Sequence, residues 1–204
     1  MPGKTARSVP SPLRGYRYTH LILILLFCLG CAATPQPRFY HLGIHDPGSM
    51  DEDIRQKVAV LETTALPRHL DRPQIVVRRE THELVVHEDH RWAAPLDRLF
   101  RESLASRLDG IFKTTRVVPS DTISAYPTPT HRIRVRILDF SSNTDGIIRL
   151  AGFFSVQEAR EGTTEKPFDL HTRAEGKSFS DFVAAQALAL NMLADIIAAE
   201  AAGF

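Results

Sequence analysis

Cysteine is nearly absent from this chain of 204 residues: the two present, Cys28 and Cys31, lie close together near the N-terminus and none follows. The body therefore has no disulfide framework, no cysteine-rich zinc site and no cysteine nucleophile. An excess of positive charge is missing as well. Residues 1–30 hold Lys4, Arg7, Arg14 and Arg17 and no acid, which leaves 21 of the 25 Lys and Arg to face 24 Asp and Glu, a net charge near −3. Gripping a phosphate backbone needs clustered cations, so the composition argues against a nucleic-acid partner. Glycine-rich phosphate loops and a Gly-x-Ser-x-Gly nucleophile elbow are also lacking. No segment reads as the run of about 20 apolar residues that a membrane-crossing helix needs.

What the chain does have begins at its N-terminus. A basic stretch broken by Pro2, Pro10 and Pro12 leads into Leu21-Ile22-Leu23-Ile24-Leu25-Leu26-Phe27-Cys28-Leu29 and then Gly30-Cys31-Ala32-Ala33. A basic region, a short apolar stretch and a small residue at the cut point predict a secretory signal over 1–30. The junction resembles a bacterial lipobox, with Gly30 before Cys31 as the lipid-bearing residue and Cys28 where the pattern prefers Leu. Ordinary cleavage would instead leave Cys31 with no disulfide partner in an oxidising compartment. Residues 31–37 then form an acylated N-terminus and a short extended tether, Thr34-Pro35-Gln36-Pro37. Ala32, not Asp, follows the cysteine. By resemblance to the sorting rule of enterobacterial lipoproteins, this points to the outer membrane, with the domain facing the periplasm.

In the body, Phe39–Leu42 and Val58–Leu61 read as strands, with a loop over 45–53 between them. Leu66–Pro73 reads as irregular chain or a single helical turn, because each proline pushes its predecessor out of αR. Gln74–Arg79 and Glu83–His87 read as a hairpin turning at Glu80–His82. Pro95 opens an amphipathic helix carrying Leu96, Leu99, Phe100, Ser103, Leu104, Leu108 and Ile111 at i, i+3, i+4 spacing, ending near Asp109-Gly110 or one turn later. Pro119–Thr130 reads as a loop. Arg132–Ile137 alternates strictly, Asn143–Gly146 supplies a turn before Ile147–Glu158, and Phe168–Glu175 forms a third strand of an antiparallel meander. Ser178 with Asp181 predicts a capping box for a final, Ala-rich helix, which packs either on its own sheet or on a second copy of the chain. The order β-ββ-α-βββ-α predicts a single domain, α/β or α+β, with a mixed β-sheet and two main amphipathic helices packed on it.

Chemistry is sparse. His82-Glu83-Leu84-Val85-Val86-His87 has its two His five apart, and odd separation in a strand sends the rings to opposite faces. His87, Glu88, Asp89 and His90 read as a solvated turn, with metal binding or hydrolysis through the His pair as the sharper alternative. Arg132, Arg134 and Arg136 share one strand face, which reads as solvated or as a surface for head groups or an acidic protein. Trp92 is either a plug in the core between helix and sheet or an exposed anchor at an interface. No catalytic residue, metal or cofactor is expected, apart from the covalent acyl and diacylglyceryl lipid on Cys31.

The order of motifs carries a resemblance. A lipobox is followed by Phe39-Tyr40-His41-Leu42, then Leu66-Pro67 with Leu70-Asp71-Arg72-Pro73-Gln74-Ile75-Val76-Val77-Arg78, then Arg91-Trp92-Ala93-Ala94-Pro95-Leu96 at a helix start. This resembles the ABC-type transport auxiliary lipoprotein family, the PqiC-like partners of MCE-type lipid transporters, over about residues 31–200. The resemblance implies a non-enzymatic periplasmic domain over 38–204, tethered to the outer membrane. It implies an adaptor in lipid transport that maintains the cell envelope, docked on an MCE-type periplasmic protein. Asp71, Arg72, Pro73, Gln74 and Trp92 are its candidate partner-binding residues, and a homo-oligomer is compatible with it. The competing reading is a stand-alone envelope lipoprotein that binds a small ligand or an envelope polymer.

Overall fold

The strict alternation of Arg132–Ile137 places Ile133, Val135 and Ile137 on one face of a strand, and all three are buried. In the computed structural model, which describes residues 36–43, 57–63, 66–158 and 164–201, this face forms the floor of the core. The signal segment, Cys31 and the loop reading at 45–53 lie outside the described residues.

Eight strands and two long helices are present among those residues: β1 Arg38–Tyr40, β2 Lys57–Thr63, β3 Gln74–Arg78, β4 Leu84–Trp92, α1 Leu96–Ile111, β5 Thr115–Pro119, β6 His131–Ser142, β7 Ile147–Glu158, β8 Lys166–Arg173 and α2 Phe179–Glu200. The mixed α/β class stands, but the strands divide between two sheets instead of one. The larger runs β5-β2-β6-β7-β8, with β2 parallel to both of its neighbours and β6, β7 and β8 antiparallel. The smaller runs β1-β4-β3, with β1 parallel to β4. The Thr144 N–H donates to the Arg78 carbonyl at 3.1 Å, beside a bridge between Arg78 and Asn143, and so joins the end of β3 to the turn after β6.

The expected meander is present and longer than its alternating pattern suggests. β6 continues past Ile137 through a bulge at Leu138, which faces solvent at 55% exposure, before Phe140 returns to the core. Opposite the bulge, Gly152 lets the strands close up, since a Cβ there would sit 2.1 Å from the Arg136 carbonyl oxygen. Gly146, at φ +76°, completes the turn into β7, and Asn143 Oδ1 accepts from the N–H groups of Asp145 and Ile147 at 3.0 and 2.9 Å.

β5 has no counterpart among the strands expected from sequence. Its four residues before Pro119 are too few to show a period, and it forms by parallel pairing with β2. On its other side, the Val117 N–H donates to Asp109 Oδ1 of α1 at 2.9 Å.

Both helices lie on the inner face. Phe100 of α1 meets Phe140 edge to face at 5.4 Å between centroids, and both are buried. Pro95 is the N-cap residue of α1 and Leu96 its first helical residue, so the helix starts one position later than the sequence suggests. The capping box of α2 is formed as expected: the Ser178 hydroxyl accepts from the Asp181 N–H, and Asp181 accepts from the Ser178 N–H at 2.9 Å. By length and composition α2 is apolar enough to cross a bilayer, with a mean hydropathy of 1.7, contrary to the sequence reading. It packs instead on its own sheet and on α1, burying Val183, Ala189, Leu190, Leu193, Ala194 and Ile197. Its alanines permit that close approach.

Candidate functional site

The segment from Leu66 to Gln74 obeys its prolines. Pro67 precedes a 3-10 turn over Arg68–Leu70, closed by the Leu70 N–H donating to the Pro67 carbonyl at 2.8 Å. Two more backbone bonds tighten the exit: Asp71 N–H to the Arg68 carbonyl at 3.2 Å, and Arg72 N–H to the Leu70 carbonyl at 2.8 Å. Leu70 points into the core, while Asp71, Arg72 and Pro73 face solvent. The Trp92 N–H then donates to the Pro73 carbonyl at 2.7 Å, which fixes the strip against the end of β4. Gln74 lies opposite Arg91, and its Nε2 donates to Glu88 Oε2 at 3.0 Å.

The structure thus brings the five body residues singled out in sequence to one end of the small sheet, with an unequal division of labour. Trp92 is 4% exposed and belongs to the core, so its ring offers no surface as an anchor and only its backbone N–H holds the strip. Asp71, Arg72 and Pro73 form the outward edge. Cys31 is outside the described residues.

The same sheet holds the His87–His90 cluster that the sequence singled out, in a setting that sequence reasoning missed. His87 through His90 do not form a turn after the strand but belong to β4, where the register breaks between the Gln74 and Ile75 partners. That irregularity swings both imidazoles toward the start of α2. The His90 ring stacks on Phe179 at 3.7 Å, His87 meets the same ring edge-on at 4.7 Å, and the Tyr40 hydroxyl is 2.8 Å from His90 Nδ1. Both His pKa values fall below 6.5. For His87 the causes are burial first, then His90 and Arg79; for His90 they are burial and then Arg38, with Asp89 opposing in each case. Helical spacing would have grouped these two His, but a strand period separates them; only the bulge reconciles the two.

A depressed folded pKa means that the native state binds fewer protons than the unfolded chain, so stability rises with pH. Stability is therefore complete above 6.5 and is lost as pH falls from there through the folded values. Urea denaturation between pH 8 and pH 5 should show the midpoint falling, and His87→Gln with His90→Gln should flatten that dependence. The lowered carboxyls of Asp169 and Asp181 act in a separate window below 3.8. An unchanged slope in the double variant would refute the assignment.

The arginine face is exposed but internally balanced. Arg132 and Arg134 both pair with Glu62, the latter at 2.9 Å, and Arg136 pairs with Glu165 at 2.7 Å while its guanidinium lies 4.4 Å from the Phe153 ring. Arg149 bridges Asp139 and Asp169 at 3.2 and 2.8 Å, which raises its own pKa and lowers that of Asp169. These pairs describe a solvated ionic lattice more than a free anion site. Among the described residues no group of three His, Cys, Asp or Glu is arranged to hold a metal. Two hollows, one of about 240 Å³ between α1 and β5 and one of about 120 Å³ beside Leu188, are smaller than the roughly 300–1,000 Å³ of common ligand sites.

The family model for the ABC-type transport auxiliary lipoprotein component matches residues 40–198. Among solved structures, the chain is similar to an uncharacterized protein at 18% identity and a TM-score of 0.66, covering 81% of this chain and 98% of that one. It is also similar to a DUF330-family protein of Xanthomonas campestris at 14% identity and a TM-score of 0.54, covering 82% and 90%. At these identities the likeness is one of fold. No protein of curated function matches.

Proposed function

The chain belongs to the ABC-type transport auxiliary lipoprotein family, and from that premise we propose that it is an outer-membrane-anchored, periplasm-facing adaptor of an MCE-type lipid transport system. The observation that carries this reading is the family match over nearly the whole folded body. The lipobox-like Gly30-Cys31 supports the anchor. The physical logic of such a partner is simple. A phospholipid moved through water exposes some thirty methylenes, on the order of 25 kcal/mol at about 0.8 kcal/mol each. A continuous apolar conduit must therefore meet both membranes. An adaptor fixed to one bilayer raises the local concentration of the conduit at its target. The adaptor itself needs no active site, only a rigid surface.

Asp71, Arg72 and Pro73 provide such a surface. All three are exposed, Asp71 and Arg72 are oppositely charged neighbours, and backbone bonds hold the strip, one of them from the N–H of the buried Trp92, so little order is lost on docking. After mild solubilisation the wild type should co-purify with an MCE-type protein. The double reversal Asp71→Lys, Arg72→Glu should lower recovery at least tenfold while leaving the thermal midpoint in place. Unchanged recovery would remove the strip from the interface. A wild type that never recovers such a protein would favour the stand-alone, ligand-binding reading.

A further inference from the structure

We propose that β1 carries a membrane-contact patch, Phe39 with Arg91 beside it on the same face of the strand pair, which seats the domain on the phospholipid surface that holds its anchor; this rests on acylation of Cys31. Phe39 is 64% exposed, more than the other exposed large apolar side chains among the described residues. Its neighbour Tyr40 is committed inward, with its hydroxyl on His90 and its carbonyl accepting from the Ala93 N–H at 2.8 Å. Phe39 itself has no such use. It stands opposite Arg91 in the parallel pair, so the two side chains leave the same face, whereas Arg38 stands opposite His90 on the other. Arg91 is fixed by its Nε donating to the Glu88 carbonyl at 3.0 Å and by that residue's carboxylate at 3.7 Å. Arg38 is exposed on the opposite face and takes no part in the patch.

Position decides what covers this ring. Phe39 follows Cys31 by eight residues, and the intervening Ala32–Pro37 carry no charge. Fully extended, a segment of that length reaches about 28 Å. The first apolar side chain of the folded body therefore stays within reach of the head-group layer. An aromatic ring beside a guanidinium matches that layer, apolar beneath and phosphate above. Acyl chains and a surface contact together also orient the domain, which a single point of attachment does not.

The test uses the full acylated chain reconstituted in phosphatidylethanolamine–phosphatidylglycerol vesicles containing brominated phosphatidylcholine, with Phe39→Trp compared with the wild type, whose buried Trp92 is the blank. Quenching at position 39 should exceed that of the wild type at least twofold, with a blue-shifted emission, while Leu138→Trp on the outer face of the large sheet should stay at the blank level. Vesicle-bound protein whose position-39 Trp is unquenched overturns the patch and leaves the anchor standing. A blue shift without quenching also overturns it, because the ring is then covered by protein. Equal quenching at 39 and 138 overturns it too, because the domain then has no preferred orientation. Protein that does not float with the vesicles overturns the anchor and the patch together.

Discussion

Cys31→Ser should move the protein from the membrane fraction to the soluble fraction, an essentially complete redistribution. At about 0.8 kcal/mol per buried methylene, one acyl chain binds only marginally, and stable anchoring needs two signals. Several chains on one cysteine exceed that threshold, and their loss leaves only the weak contact at Phe39. Radiolabelled palmitate should enter the wild type and not this variant. Cys28→Ser should remain anchored and labelled, since Phe27 before it is too bulky for the cleavage position. Were Cys28→Ser the soluble form, the cleavage register would be wrong. Were Cys31→Ser still labelled and membrane-bound, the lipid-anchor reading would fail.

The second large effect belongs to the fold. Gly152→Ala places a methyl group 2.1 Å from the Arg136 carbonyl oxygen and 3.0 Å from the Phe168 ring. The nearer obstacle is backbone, so no rotamer change relieves it; β6 and β7 must part where the register already shifts. Overpacking of this kind costs about 3 kcal/mol, which for a domain of this size lowers the thermal midpoint by about 6–12 °C. Gly110→Ala in α1, where a Cβ would meet nothing within 4 Å, should instead raise stability by roughly 0.5–1 kcal/mol. A Gly152→Ala midpoint within about 2 °C of the wild type would show that the strands yield more easily than their spacing implies.

Locally encoded features were legible in the sequence. The alternation at Arg132–Ile137, the Asn143–Gly146 turn and the Ser178–Asp181 pair each act within a few residues, and each appears where expected. What escaped was non-local. β5 owes its existence to β2, and the division into two sheets depends on which strands meet across the chain. The apolar character of α2 belongs to a helix pressed on a sheet, a context that its composition does not reveal. At the candidate site, the Asp-Arg-Pro run and Trp92 were visible as a motif, but their roles separate only through burial. The His87 and His90 pair was visible as a polar cluster, but its convergence on Phe179 was not, because an irregular stretch of β4 changes the facing of His90 relative to His87.

The Asp109 carboxylate on the Val117 amide has a consequence for life in a crowded envelope. β5 is an outermost strand of the large sheet, and an unsatisfied amide there would invite lateral growth by a strand from another chain. The carboxylate occupies that amide in advance. At the opposite margin, Pro167 of β8 has no N–H to offer. With both rims of the large sheet guarded, neighbouring copies can crowd together without pairing along that sheet.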